Sequence, residues 1–279
     1  MKIAVIGLGL LGGSFALEFR ALGYKIYGVE ANEVHATEAL ALGLVDEIVP
    51  LEKIIEMDVV LLAVPVDVLD ELVVAVLDLV TDNTLVFDVG STKESVCNAV
   101  RNHPKRANFV AMHPIAGTEF SGPQAAFQGL FKGKVTIICE QKLSNKKLLD
   151  KLLKLLKPLE MRIEYMESSA KHDMHIAYVS HLSHVSSFML GKTVLEIEKS
   201  EKSIFDMAGS GFESTVRLAK SSPKTWTPIF LQNKKHIINA LDEYITNLEN
   251  FKTLIKDEKS TEIHAVMQET NYIKTILDN

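Results

Sequence analysis

Residues 2–22 read KIAVIGLGLLGGSFALEFRAL. The first part, KIAVIG (2–7), is a short apolar run closed by a glycine and predicts a strand. From Leu10 the pattern changes to a helical one, with Leu11, Phe15, Phe19 and Leu22 on one face and Gly23 as the stop. Between the two lies G-x-G-x-x-G at Gly7, Gly9 and Gly12, with Leu8, Leu10 and Leu11 in the variable places. Glycines suit a tight turn, a close backbone approach to a pyrophosphate and close packing of helix on strand. The helix that follows offers free N–H groups and the positive end of its dipole to phosphates. A second strand, KIYGVE (25–30), ends at Glu30, about the spacing of an acid that binds the adenosine ribose diol. A carboxylate there repels a 2′-phosphate, so the expected cofactor is NAD rather than NADP. The lysine and apolar run also resemble a signal peptide, but the glycine motif is the better account of the same residues.

The alternation continues outward. DVVLLAVP (58–65), TLVFDVG (84–90), NFVAMHP (108–114), KVTIICE (134–140) and MRIEYME (161–167) are further strand candidates. Helical stretches separate most of them, among them 66–80 and 144–157. Alternating apolar strands and helices predict an α/β fold with a doubly wound, mainly parallel sheet over residues 1–167. After Ser168 the strand signals stop, and 168–198, 203–220, 224–250 and 257–278 read as helices. An all-α domain over 168–279 is therefore expected.

A net charge of −6 gives no basic footprint for nucleic acid. No apolar stretch is long and uncharged enough to span a bilayer. The two cysteines, Cys97 and Cys139, sit in separate segments and build neither a disulfide framework nor a zinc pattern, which suits a reducing cytoplasm.

Ligands of open α/β sheets collect beyond the carboxyl ends of the strands. AVP (63–65) places Val64 and Pro65 there, beside the nucleotide. DVGSTK (88–93) places Ser91 and Lys93 after a glycine turn, and HPIAGTE (113–119) places His113 and Glu119. A neutral imidazole at His113 is suited to accept a proton from an alcohol under oxidation. KHDMHIAYVSHLSHV (171–185) carries four histidines. His181 and His184 form only an i, i+3 pair without an acidic partner, so no metal site is expected. His172 and Asp173 read as a solvated helix start. Arg217 reads by itself as a surface residue, and Trp226 and Phe230 as core or interface.

With these segments in view, the chain resembles the prephenate dehydrogenases and the related arogenate dehydrogenases. The resemblance rests on GLGLLGGS at the start, AVPV (63–66), DVGSTK, HPIAGTEFSG (113–122), Leu130–Phe131, SHLSH (180–184) and GSGFESTVRLAKSSPKTWTPIFLQN (209–233). It implies a Rossmann-like domain followed by a helical dimerisation domain, hence a homodimer, and oxidative decarboxylation of prephenate to 4-hydroxyphenylpyruvate on the route to tyrosine. By resemblance His113 takes the hydrogen of the ring hydroxyl, and Ser91 hydrogen-bonds near it and the nicotinamide. His181 helps bind substrate, Arg217 binds a substrate carboxylate, and Glu119 stands at the mouth of a pocket between the domains. Ser183 departs from the family's usual proline, and Glu213 stands where a basic residue is common, which leaves arogenate as an alternative substrate. Neither a regulatory domain after the helical part nor a mutase segment before the glycine loop is expected.

Two other readings fit parts of the pattern. A β-hydroxyacid dehydrogenase would employ a lysine on the first long tail helix, where Lys171 fits poorly. A non-catalytic NAD-binding module would keep Gly7, Gly9, Gly12 and Glu30 but has no use for His113, His181 and Arg217.

Overall fold

A computed structural model describes residues 1–201 and 203–277. It contains β1 (Lys2–Ile6), α1 (Leu10–Ala21), β2 (Lys25–Val29), α2 (Glu33–Ala41), β3 (Glu47–Ile48), β4 (Val59–Leu62), α3 (Val66–Leu79), β5 (Leu85–Asp88) and α4 (Glu94–Ala99). These are followed by β6 (Phe109–Pro114), β7 (Val135–Cys139), α5 (Lys146–Leu156) and β8 (Arg162–Met166). The rest is helical: α6 (Ser169–Ile176), α7 (Leu182–Glu198), α8 (Ser210–Val216), α9 (Pro223–Gln232), α10 (Lys234–Lys256), α11 (Ser260–Thr270) and α12 (Ile273–Leu277). The chain forms two compact units, Met1–Lys234 and Lys235–Asn279.

The strands make one sheet in the order β3-β2-β1-β4-β5-β6-β7-β8. All neighbours are parallel except β6 and β7. Both faces of the inner strands β4, β5 and β6 are covered, which explains why they read as nearly unbroken apolar runs, whereas the edge strand β8 is largely exposed. Along β1, Ile3 and Val5 join a core with α1 and α5, while Ala4 and Ile6 join the opposite core with α3 and α4. On α5, Leu148, Leu152, Leu155 and Leu156 are buried and the lysines face outward, as a 3.6-residue period requires. The strand order reverses between β1 and β4, so the turns that leave these two strands flank the crevice where such sheets bind ligands.

All seven expected strands are present. β3 was not anticipated, since two residues show no periodicity. Leu22 is exposed rather than on the packed face, because α1 ends at Ala21 and Gly23, at φ +82°, turns the chain away. The helix expected over 224–250 is interrupted at Asn233, and the one over 203–220 begins only at Ser210, after a short 3-10 turn at Phe205–Met207. Position 278, the end of the last expected helix, lies outside the described residues.

The long connection from β6 to β7 is pinned to α1. Ser14 accepts a hydrogen bond from Phe127 N at 3.1 Å, and Glu18 accepts one from Gly129 N at 2.6 Å. Phe131 is fully buried and stacks on Phe15 with ring centroids 3.9 Å apart. Phe131→Ala is expected to lower the unfolding free energy by about 3–5 kcal/mol, as for other buried aromatic truncations. Denaturant titration measures this, and a loss below about 1 kcal/mol would mean that Phe131 does not anchor the connection.

Candidate active site

The glycine loop shows which of its residues the protein itself requires. Gly7 has φ +89°, and a Cβ there would lie 2.5 Å from the Ala63 carbonyl oxygen. A Cβ on Gly12 would fall 1.9 Å from the Gly7 oxygen. A Cβ on Gly9 would meet no heavy atom within 4 Å, so this residue faces open space over the turn. Such a cradle fits a pyrophosphate that approaches the backbone closely. Leu8 is in the core and Leu10 and Leu11 pack against it, so what they can offer a ligand is backbone. Val64 and Pro65 follow β4 at the crevice, and Pro65 caps α3. Glu30 accepts hydrogen bonds from Leu8 N at 2.8 Å and Asn32 N at 3.0 Å, which ties the end of β2 to the glycine turn.

The loop after β5 is shaped by a buried ion pair. Asp88 and Lys93 are both fully buried and bonded to each other. Asp88 also accepts from Gly90 N at 2.9 Å and Met112 N at 3.2 Å. Burial raises the Asp88 carboxyl above the usual range, and Lys93 works against that rise. Ser91 stands in this loop, partly exposed. Among the described residues no hydrogen bond joins Ser91 to His113.

His113 lies at the carboxyl end of β6, only 9% exposed. Its Nδ1 is 2.9 Å from His172 Nε2, and His172 Nδ1 is 2.7 Å from Asp173 Oδ1. The Asp173 carboxylate also accepts from Lys93 N at 2.7 Å and Glu94 N at 2.9 Å. The expectation of a solvated helix start is therefore wrong: His172 is 1% and Asp173 2% exposed. Ser168 caps α6, and α6 packs on α4, which turns both side chains inward. Burial holds the His113 imidazole well below its ordinary pKa, and repulsion from His172, Lys93 and His181 adds to this.

His181 closes a π-helical turn, Ala177–His181, inserted between α6 and α7. Such turns re-aim a side chain within a helix and recur at functional sites. The Asn233 amide donates to the Asp173 carbonyl oxygen at 2.8 Å and lies 3.1 Å from His181 Nδ1. That nitrogen is consequently the acceptor, and Nε2 carries the proton. His181 Nε2 is buried without a hydrogen-bond partner among the described residues. A buried N–H left open in this way fits an anionic ligand group. Burial, opposed by Asp173, brings His181 down to about 4, so it is a neutral donor near pH 7.

The outer rim comes from later segments. Trp226 lies edge-on to His181 at 5.9 Å and stacks on His184 at 3.4 Å, with Phe230 behind it at 5.4 Å. Arg217 opens a 3-10 turn and is 56% exposed, with Nη1 4.0 Å from Glu119 Oε2. Its charge is close enough to lower the pKa of His184, after the larger effect of burial. Glu213 is exposed and lies 3.9 Å from Lys220 Nζ. The structure thus gathers His113, His181, Arg217 and Glu119 around one region. It adds His172, Asp173, Asn233 and Trp226, none of which carried a distinctive signal in the sequence.

His113 and His181 are expected to be neutral at pH 6 by NMR titration, with His181 half-protonated near pH 4. The unfolded chain takes up these protons near 6.5, so this part of the stability falls as pH drops from about 6.5 toward 4. A His181 midpoint near 6.5 would contradict the burial seen here.

Residues 15–165 match the family model for the nucleotide-binding domain of prephenate dehydrogenase, and residues 168–269 match that for its dimerization domain. The prephenate dehydrogenase of Bacillus subtilis (strain 168) is 31% identical, over 99% of this chain and 74% of the relative. The crystal structure of prephenate dehydrogenase from A. aeolicus in complex with hydroxyphenyl propionate and NAD+ superposes with a TM-score of 0.91 at 32% identity, covering 100% of this chain and 98% of that one. Synechocystis arogenate dehydrogenase gives 0.80 at 26% identity, covering 99% and 100%. The glycine crevice, the buried histidine at the end of β6 and matches running across both halves of the sequence lead to one conclusion: the chain belongs to the prephenate dehydrogenase family.

Proposed function

We propose that this protein catalyses the NAD+-dependent oxidative decarboxylation of prephenate to 4-hydroxyphenylpyruvate. The observation that carries the reading is a buried, neutral His113 beside a buried His181 whose N–H has no partner among the described residues. The first suits a proton acceptor, and the second suits a substrate carboxylate.

When bound, NAD+ supplies the hydride acceptor, C4 of its nicotinamide. Its pyrophosphate is assigned to Gly7–Gly12, with Val64 and Pro65 on the opposite wall, and its adenosine ribose to Glu30. His113 accepts the proton of the ring hydroxyl through Nε2 while the hydride leaves the same carbon. Loss of the ring carboxylate as CO2 completes an aromatic ring. The proton then returns to the phenolic oxygen, so no net proton is released. Aromatisation drives the reaction, and the protein chiefly positions the reactants. Ser91 is assigned to the substrate hydroxyl and the nicotinamide, His181 to a substrate carboxylate. Arg217 takes the other carboxylate, a charge-assisted contact, with Glu119 at the mouth. Residues 1–167 hold the cofactor and 168–279 the substrate carboxylates. Prephenate is assigned over arogenate because Glu213, the carboxylate that would favour an ammonium, faces solvent beside Lys220.

The helical part is also assigned a homodimer contact. On α10, Ile238, Ile245, Leu248 and Ile255 are exposed at near-heptad spacing, an apolar stripe suited to a second copy. Two buried free thiols, Cys97 and Cys139, suit a reducing cytoplasm.

Prephenate added to protein and NAD+ is expected to give NADH absorbance. His113→Asn is expected to lower kcat by about 10²-fold or more with NAD+ affinity near normal; a variant that keeps most of its kcat removes His113 from the chemistry. Arg217→Ala is expected to raise the prephenate KM by roughly 10- to 100-fold, in line with the ~1.5–3 kcal/mol of a hydrogen bond to a charged group. An unchanged KM would make Arg217 an ordinary surface residue.

A further inference from the structure

We propose that Asp173 and His172 are positioning residues that set the tautomer of His113, holding its proton on Nδ1 and leaving the Nε2 lone pair free for the reaction; this rests on the reading of His113 as the proton acceptor. The direction of each hydrogen bond follows from the one before it. The Asp173 carboxylate already accepts two backbone N–H groups, from Lys93 and Glu94. It is an acceptor toward His172 as well, so His172 Nδ1 carries hydrogen at the 2.7 Å contact. In a neutral ring the other nitrogen then has a lone pair, and His172 Nε2 accepts at 2.9 Å from His113 Nδ1. The ring planes are tilted by 70° with centroids 5.1 Å apart, an edge arrangement that suits an N–H pointing at a lone pair. Only Nε2 of His113 is left to take a proton.

The same chain stabilises the product of that step. After proton uptake the permanent charge acting on His113 is unfavourable: Lys93 opposes a positive ring, while His172 and His181 oppose it only when they are themselves charged. The nearby Asp88 is bound to Lys93. Asp173, one ring away through His172, is the carboxylate in line with the new charge. All three side chains are 9% exposed or less, so water does not substitute for this chain. Asp173 also holds the backbone at Lys93 and Glu94, directly after the loop that carries Ser91. The register of that loop and the tautomer of His113 therefore share one carboxylate. A triad Asp that orients a protease histidine acts by comparable logic.

Two variants separate this role from packing. His172→Phe keeps a ring but cannot accept a hydrogen bond. His172→Gln loses the ring but offers an oxygen to His113 and an N–H to Asp173. The Phe variant is expected to lower kcat about 10²-fold, with prephenate KM and NAD+ affinity within about threefold of wild type. The Gln variant is expected to recover at least tenfold of that loss. The reverse order, Phe tolerated and Gln not, would mean a packing role and overturn the proposal. The second measurement needs no turnover: 15N NMR of the histidine rings in the wild type, with His113 assigned by its absence in His113→Gln. A protonated Nδ1 and bare Nε2 on His113 support the proposal, and the opposite tautomer overturns it even if neither His172 variant folds. Failure of the wild type to form NADH from prephenate would sink the functional reading, while the tautomer measurement still decides this one.

Discussion

The carboxylate of Asp173 accepts hydrogen bonds from three directions, and much of the site's geometry follows from them. Two come from the backbone at the start of α4 and one from the ring of His172. The carbonyl of the same residue takes the Asn233 amide, which in turn meets His181. One residue within α6 thereby references the loop after β5, the end of β6, the π-helical turn and the end of α9 to each other. In a buried setting each of these groups needs its partner, since an unmet polar group costs about 1–3 kcal/mol. The network is satisfied nearly throughout. Among the described residues its open N–H is that of His181.

The second buried charge cluster serves a different purpose. Asp88 and Lys93 lie five residues apart and fold their loop on itself. A buried pair of this kind adds little net stability, because desolvation offsets the attraction, but loss of either partner leaves an isolated charge. Its consequence here is geometric: Gly90 and Met112 are drawn to the same carboxylate, so the ends of β5 and β6 stay in register. Lys93 also contributes positive potential at His113, which favours the neutral ring that a proton acceptor requires.

Burial acts on the two key histidines alike, but the outcomes differ through hydrogen bonding. His113 has its Nδ1 engaged as a donor and its Nε2 unengaged. His181 has its Nδ1 engaged as an acceptor and its Nε2–H unengaged. Two neutral imidazoles thus present opposite polarity to one region, one a base and one a donor, set by a carboxylate on one side and an amide on the other. The exposed Arg217 adds a full charge at the rim, with Glu119 4.0 Å away.

Much of this protein was legible in the sequence. The glycines, the strand runs and their spacing identified a doubly wound sheet, because strands buried on both faces must be apolar throughout and a tight βα turn must be free of side chains. His113 was legible because a strand end is marked by the shift from apolar residues to Pro114 and Gly117. Glu119 was legible as a strand-end residue, but Arg217 and His181 only through family resemblance, since no local period distinguishes them from surface or core residues. His172 and Asp173 were misread as solvated, and Asn233 was taken for the middle of a helix. Their roles depend on partners 59, 80 and 52 positions away along the chain. Local pattern reports which face of an element is buried; it does not report which polar group waits on the other side. Only the packing of α6 on α4 and β8, and of α9 on α3, brings those groups within hydrogen-bonding distance, and at that range direction and tautomer, rather than residue type, decide what each can do.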